Sequence, residues 1–244
     1  MYKESASHSE QAECVASLVL KTEDVRTRFG YSDQDVRSVV LNNVRSIAYS
    51  TQMVLNLLDN WCIGNEAVRA AIPQLLGVTD VSDRSIKVAG DTLHKTAKLS
   101  LVILGQFQIE SCLSSLAREL NLKRSNRGFF PLAKSLVALL GLPGALVDEL
   151  NVAALIRNSL HGNGIHSGYK GRDTVTTLDN VTYEFLHQQR VSCATVEHIA
   201  HALESSITIL AKFFDAPQVR VLKDPVIDQY VRRLQANHTS RSIH

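Results

Sequence analysis

Apolar residues recur at helical spacing through most of the chain, and only one short stretch alternates as a strand does. A polar leader opens the sequence, followed by an amphipathic helix expected over Glu10 to Arg28 and ended by Gly30. Ser32, with Asp35 three residues on, resembles a capping box for the first long helix. On that helix Val40, Val44, Ile47, Thr51, Val54, Leu58 and Trp61 follow at alternating spacings of four and three. Such a seam needs a second helix, and two partners are open: another helix of the same bundle, or a second copy of the chain.

Asn65 caps a short helix that Pro73 and Gly77 end, and Asp80, Ser82, Asp83 and Gly90 predict an irregular stretch over Val78 to Gly90. A second long helix is expected from about Asp91 to Leu120, crossing Gly105, before a basic loop from Asn121 to Gly128. Pro131 opens a helix that stops at Gly141, and the next runs from Gly144 to His161, ended by Gly162 and Gly164. Thr174 to Leu178 and Val181 to Phe185 are rich in Thr, Val, Tyr and Phe around Asp179-Asn180, which predicts one β-hairpin. A helix from about Ser192 to Phe214 follows. Asp224-Pro225 then reads as the cap and first-turn pair of a last helix with the stripe Ile227, Tyr230, Val231 and Leu234. The expected fold class is all-α, a helical bundle with a small β-hairpin insertion. Its expected parts are an N-terminal helical region at 1–90, a bundle at 91–214 with the hairpin at about 174–185, and a C-terminal helix and tail at 215–244.

Composition changes this picture little. The 244 residues, 45% of them apolar, suffice for one large domain or two small ones. Cys14, Cys62, Cys112 and Cys193 lie far apart with no CxxC pair, which argues against a zinc knuckle or a disulfide framework and for a reducing compartment. The longest apolar run, Leu99 to Leu104, is interrupted by Ser100 and too short to span a bilayer, so a cytoplasmic protein is expected. A net charge of +2 does not mark a nucleic-acid binder by itself. Charge distribution says more: from Asn121 to Arg172 there are seven basic residues and two acidic ones, Asp148 and Glu149. Lys123, Arg124, Arg127, Lys170 and Arg172 are the RNA-binding candidates in that segment, against the alternative of a solvated basic loop.

The chemistry that can be read concentrates in Arg157-Asn158-Ser159-Leu160-His161-Gly162-Asn163-Gly164. Projected at about 100° per residue, Arg157 falls between Leu146 and Leu150, and His161 between Leu150 and Ala154. Both therefore lie on the apolar side of their helix, where an unpaired charge is costly. Glu110, projected among Ile103, Phe107, Leu113 and Ala117, is the candidate partner for Arg157. An imidazole exchanges protons near neutral pH and can activate an RNA 2′-hydroxyl, while a guanidinium fork holds the oxygens of the attacked phosphate, so no metal is needed. Asn158 can orient a neighbouring group. The bland alternative is a histidine favoured by the helix dipole, capped by Gly162, and an arginine that reaches solvent.

An Arg-Asn step ending in His, at the close of a late helix in an all-helical chain, resembles the HEPN (higher eukaryotes and prokaryotes nucleotide-binding) superfamily. The resemblance covers about residues 91 to 214. It implies a small helical bundle that forms a homodimer, with Arg157 and His161 as catalytic pair and Asn158 as polar companion. It further implies a metal-independent endoribonuclease of a toxin, defence or RNA-processing system, or a relative that has lost catalysis and serves as a dimerisation or protein-partner module. The family motif usually leaves about four to six residues between Arg and His. Only Asn158, Ser159 and Leu160 intervene here, and His166 comes too late to restore the count.

Other constellations are weaker. His198 and His201, with Glu197 and Glu204 nearby, have the spacing of two metal ligands but lack an identifiable third, so neither metal nor cofactor is expected. Gly162, Gly164 and Gly168 follow a helix instead of preceding one, the wrong context for a phosphate loop. Cys62, Cys112 and Cys193 lie on or beside apolar stripes, as packing thiols do.

Overall fold

The computed structural model describes residues 6–62, 82–122 and 128–228, together with positions 66, 67, 70, 71 and 74. Helices α1 (His8–Phe29), α2 (Val36–Cys62), α3 (Asp83–Glu119), α4 (Phe129–Leu139) and α5 (Ala145–His161) precede a hairpin of β1 (Thr174–Leu178) and β2 (Val181–Phe185). Helix α6 (Val196–Asp215) and the single turn α7 (Pro217–Arg220) follow. The fold is an all-α bundle with one small β-hairpin. Helices α1, α2, α3 and α6 pack around one another, α5 lies against α3 and α6, and α4 leans on α5 and α3.

One continuous apolar core joins these elements, from Val15 and Leu18 of α1 through Val44 and Leu55 of α2, and Leu101 and Ile109 of α3. It continues through Leu150 of α5 to Leu203 and Phe213 of α6. Each such side chain, fully buried, contributes about 1.5–3 kcal/mol. The seam on α2 is intramolecular: Val40, Val44, Thr51 and Leu58 are buried, with Ile47 and Val54 half-buried. Helix α3 is long and apolar enough to cross a membrane by length and composition, which the run Leu99 to Leu104 did not suggest, and 61% of its apolar window is buried inside the bundle.

Several helix starts differ from the sequence expectation, each because a different polar side chain supplies the cap. Helix α1 begins at His8, where Ser7 and Glu10 form a reciprocal capping box, and ends at Gly30 in the left-handed region at φ 59°. Ser32 does not cap α2; its N–H and hydroxyl both donate to the Asp224 carboxylate. Asp35 takes that place, accepting from the Arg37 N–H at 2.8 Å. Helix α3 begins at Asp83, not Asp91, because Ser82 caps it through the Ser85 N–H. Helix α6 starts at Val196, not Ser192, with Thr195 capping the His198 N–H.

Asp224-Pro225 opens no helix through Asp228, and this segment instead crosses the bundle. Val36 and Val226 pair by backbone, Arg118 donates to the Ile227 carbonyl, and Ser111 donates to Asp228. Tyr230, Val231 and Leu234 lie outside the described residues, as do Asn65, Pro73, Gly77 and the Trp61 side chain. The hairpin has its expected bounds, with Thr174 facing Phe185 and Leu178 facing Val181. Asp179 and Asn180 both take positive φ, 42° and 69°, as a two-residue hairpin turn requires.

Candidate functional site

Helix α5 carries the Arg-Asn-x-x-His sequence on its last turn and a half. Its buried face, Leu146, Leu150, Ala153, Ala154 and Ile156, fixes the helix against α3 and α6. Arg157 is half-buried beside this face, and its Nη1 reaches Glu110 Oε2 of α3 at 3.4 Å. The expected pair therefore forms, at the rim of the bundle and not in its core: the two side chains are 22% and 36% exposed. At that exposure the ion pair contributes at most about 1 kcal/mol to stability, and its main effect is to aim the guanidinium.

Asn158 completes the arrangement. Its Oδ1 accepts from Arg157 Nε at 3.3 Å and Nη2 at 3.2 Å, so the carboxamide grips one edge of the guanidinium while Glu110 holds Nη1. A guanidinium has about five N–H donors, and these contacts use three, leaving one on each terminal nitrogen. His161, one turn further along, is exposed, contrary to its projected place on the apolar side. Projection along one helix does not say which parts of its apolar sector the rest of the fold covers. Among the described residues His161 makes no hydrogen bond or ion pair, and its ring is open to solvent.

Gly162 closes the helix through its N–H to the Asn158 carbonyl, and a tight loop brings the chain back to the hairpin. Lys170 and Arg172 are exposed on that loop. Lys123, Arg124 and Arg127 lie outside the described residues. The loop glycines form no anion cradle. A Cβ on Gly168 would stand 2.0 Å from the Arg172 carbonyl oxygen, so Gly168 serves a close crossing of the chain over itself. Gly168→Ala is accordingly expected to unseat the loop from Gly162 to Arg172. Amide exchange in this segment should accelerate about 10-fold or more, for a local cost of at least 1.4 kcal/mol, while the α3 and α6 amides keep their protection.

His166, set aside on spacing, proves to be the most buried histidine of this region. It is 4% exposed, with Nδ1 3.3 Å from the Ser159 hydroxyl of α5 and the ring packed on Phe185 of β2. Burial lowers its proton affinity below that of an ordinary histidine. No periodicity marked this residue, because its burial comes from the folded loop and not from a helix face.

The remaining candidates are structural. The His198 ring bonds Thr195 Oγ1 at 2.8 Å, and His201 Nδ1 lies 2.8 Å from the buried Tyr183 hydroxyl, which also donates to the His198 carbonyl. These contacts tie the hairpin to α6. Among the described residues no group of three or more His, Cys, Asp or Glu is placed to hold a metal ion. Cys112 and Cys193 are buried thiols whose desolvation raises both, Cys193 to about 11, as inert packing groups require. Cys62's side chain lies outside the described residues, and Cys14 is exposed on α1. Among known proteins, no family model, no curated protein and no solved structure matches this chain.

Proposed function

We propose that the end of α5 is a phosphate-directed site of a HEPN-like protein acting on RNA, and that its chemistry is metal-independent endonucleolytic cleavage. One observation carries the reading. A guanidinium aimed by Glu110 and Asn158, with an N–H to spare on each terminal nitrogen, stands one helical turn from a solvent-facing imidazole. Side chains four apart on a helix share a face and can approach the same ligand.

In this scheme His161 takes the proton of the ribose 2′-hydroxyl as that oxygen attacks the adjacent phosphorus. Arg157 stabilises the negative charge that builds on the non-bridging oxygens. The bond from phosphorus to the 5′-oxygen breaks and that oxygen takes a proton from water, leaving a 2′,3′-cyclic phosphate on one product and a 5′-hydroxyl on the other, while His161 returns its proton to solvent. Lys170 and Arg172, on the loop that follows, offer positive charge to flanking phosphates.

Incubation of mixed RNA with the protein in excess chelator tests this reading. Wild type should generate cyclic-phosphate ends, and His161→Ala should lower the rate about 100-fold or more. Absence of cleavage by both proteins would refute the enzymatic reading.

A second reading is a catalytically silent module of the same fold that pairs with another copy of the chain. Tyr49, Met53 and Leu57 favour it: they follow one another at four-residue spacing on α2 and are 51%, 71% and 45% exposed. Sedimentation would then give a dimer that Met53→Glu converts to monomer. A monomer at high concentration would count against a two-copy assembly in either reading.

A further inference from the structure

The loop after α5 returns to the bundle through two histidines, His166 and His187, which engage it in different ways. His166 is 96% buried by the complement of its 4% exposure. The Ser159 hydroxyl proton goes to the Leu155 carbonyl at 2.9 Å, so the contact between Ser159 Oγ and His166 is donated by the ring's Nδ1–H. Nε2 then carries the lone pair. That atom is buried and, among the described residues, has no hydrogen-bond partner, so a proton placed on it would add a charged N–H with no acceptor.

His187, just past β2, works differently. Its Nδ1 accepts the Gly168 N–H at 3.1 Å, and an imidazolium, which has two N–H groups and no lone pair, cannot accept. Backbone bonds knit the same region: His166 and Gln188 or Gln189 exchange N–H to carbonyl contacts, and Val191 donates to Gly164.

We propose that His166 is a pH-operated latch that seats the loop from Gly162 to Arg172 on the end of α5 when its ring is neutral and releases it when the ring is protonated. The groups acting on His166 are few. His187 opposes its protonation, Asp173 favours it, α5 presents the neutral Ser159, and β2 presents the ring of Phe185. Asp173 also accepts the His187 backbone N–H at 2.6 Å, so its carboxylate is held within the latch.

The direction follows from linkage. His166 binds its proton more weakly in the seated loop than in the open one, so seating is complete above the ordinary histidine pKa of about 6.5 and weakens as pH falls below it. Each pH unit below that value changes the opening equilibrium about 10-fold until the seated His166 ring itself takes up the proton. Release would loosen the segment that carries Lys170 and Arg172.

Amide exchange on the whole chain, corrected for the intrinsic pH dependence, tests the latch without any assumption about catalysis. Between about pH 7.5 and about pH 5.0 the Gly168, Gln188 and Val191 amides should open about 30-fold more often. The α3 and α6 amides should hold their protection. His166→Phe should flatten the response. A pH response of wild-type size in His166→Phe would overturn the proposal. So would a flat wild-type response, or a wild-type His166 imidazole resonance that titrates at the ordinary histidine value with no change in the loop amides. The resonance titration needs no variant to fold.

Discussion

Replacing Arg37 by methionine is expected to destabilise the fold by about 3–5 kcal/mol, the cost of leaving a buried charge without its partner. Arg37 and Asp35 are 1% and 0% exposed, with the guanidinium donating to both carboxylate oxygens at 2.8 and 2.6 Å. The guanidinium carbon also stands 3.7 Å from the centre of the Tyr31 ring, and Nη1 donates to the Val219 carbonyl. Asp35 in turn accepts the Val226 N–H at 2.7 Å, 191 residues away in sequence. This one carboxylate therefore caps α2, pairs Arg37 and anchors the C-terminal crossing. Adding Asp35→Asn to the methionine variant should restore part of the loss, because the carboxamide oxygen still accepts from backbone while the unpaired charge is gone. Chemical denaturation of the two variants against wild type measures both effects. A loss below about 1 kcal/mol for Arg37→Met would mean that the carboxylate reaches water or another cation.

Arg157→Lys should slow the proposed RNA cleavage about 100-fold or more while leaving stability nearly unchanged, and the contrast is the informative part. Lysine keeps the positive charge but not the planar fork, so it cannot hold Glu110 and Asn158 and still present two parallel N–H groups to a phosphate. Removal of one donor to a transition-state oxyanion typically costs about 10²–10³ in rate. The pair lost is partly exposed, which keeps the folding cost under about 1 kcal/mol. Single-turnover rates in excess chelator, read beside denaturation midpoints, separate the two quantities. A lysine variant that cleaves at the wild-type rate would reduce Arg157 to a point charge.

How much of this was legible along the chain depended on how local each cause was. The hairpin reads to the residue because β-branched and aromatic positions, and a turn able to take positive φ at Asp179 and Asn180, are all local features. Helix α5 also reads closely, since Gly144 and Gly162 bracket it. The pairing of Arg157 with Glu110 followed from projecting two helices separately, because both faces happened to meet.

The start of α2 did not read correctly. Ser32 and Asp35 are both competent caps, and the choice between them falls to Arg37, Asp224 and Val226. The start of α3 was obscured because Ser and Asp suit turns and caps alike. Projection placed His161 on an apolar sector, but exposure there depends on where the neighbouring helices end. His166 was passed over because its burial arises from a loop, where no period exists to reveal it.

The proposed site makes one demand above the others: Arg157 and His161 must engage a single phosphate. The most direct measurement is a titration of labelled protein with a short RNA bearing a 2′-deoxy sugar at the cleavage position, which binds and cannot react. The Arg157 Nε–H and the His161 imidazole resonances should move together along one binding curve, with Glu110 and Asn158 responding as the guanidinium shares its donors. If neither resonance moves, or if only one does while the other stays at its free position, then the two side chains do not share a phosphate and the proposed site is wrong.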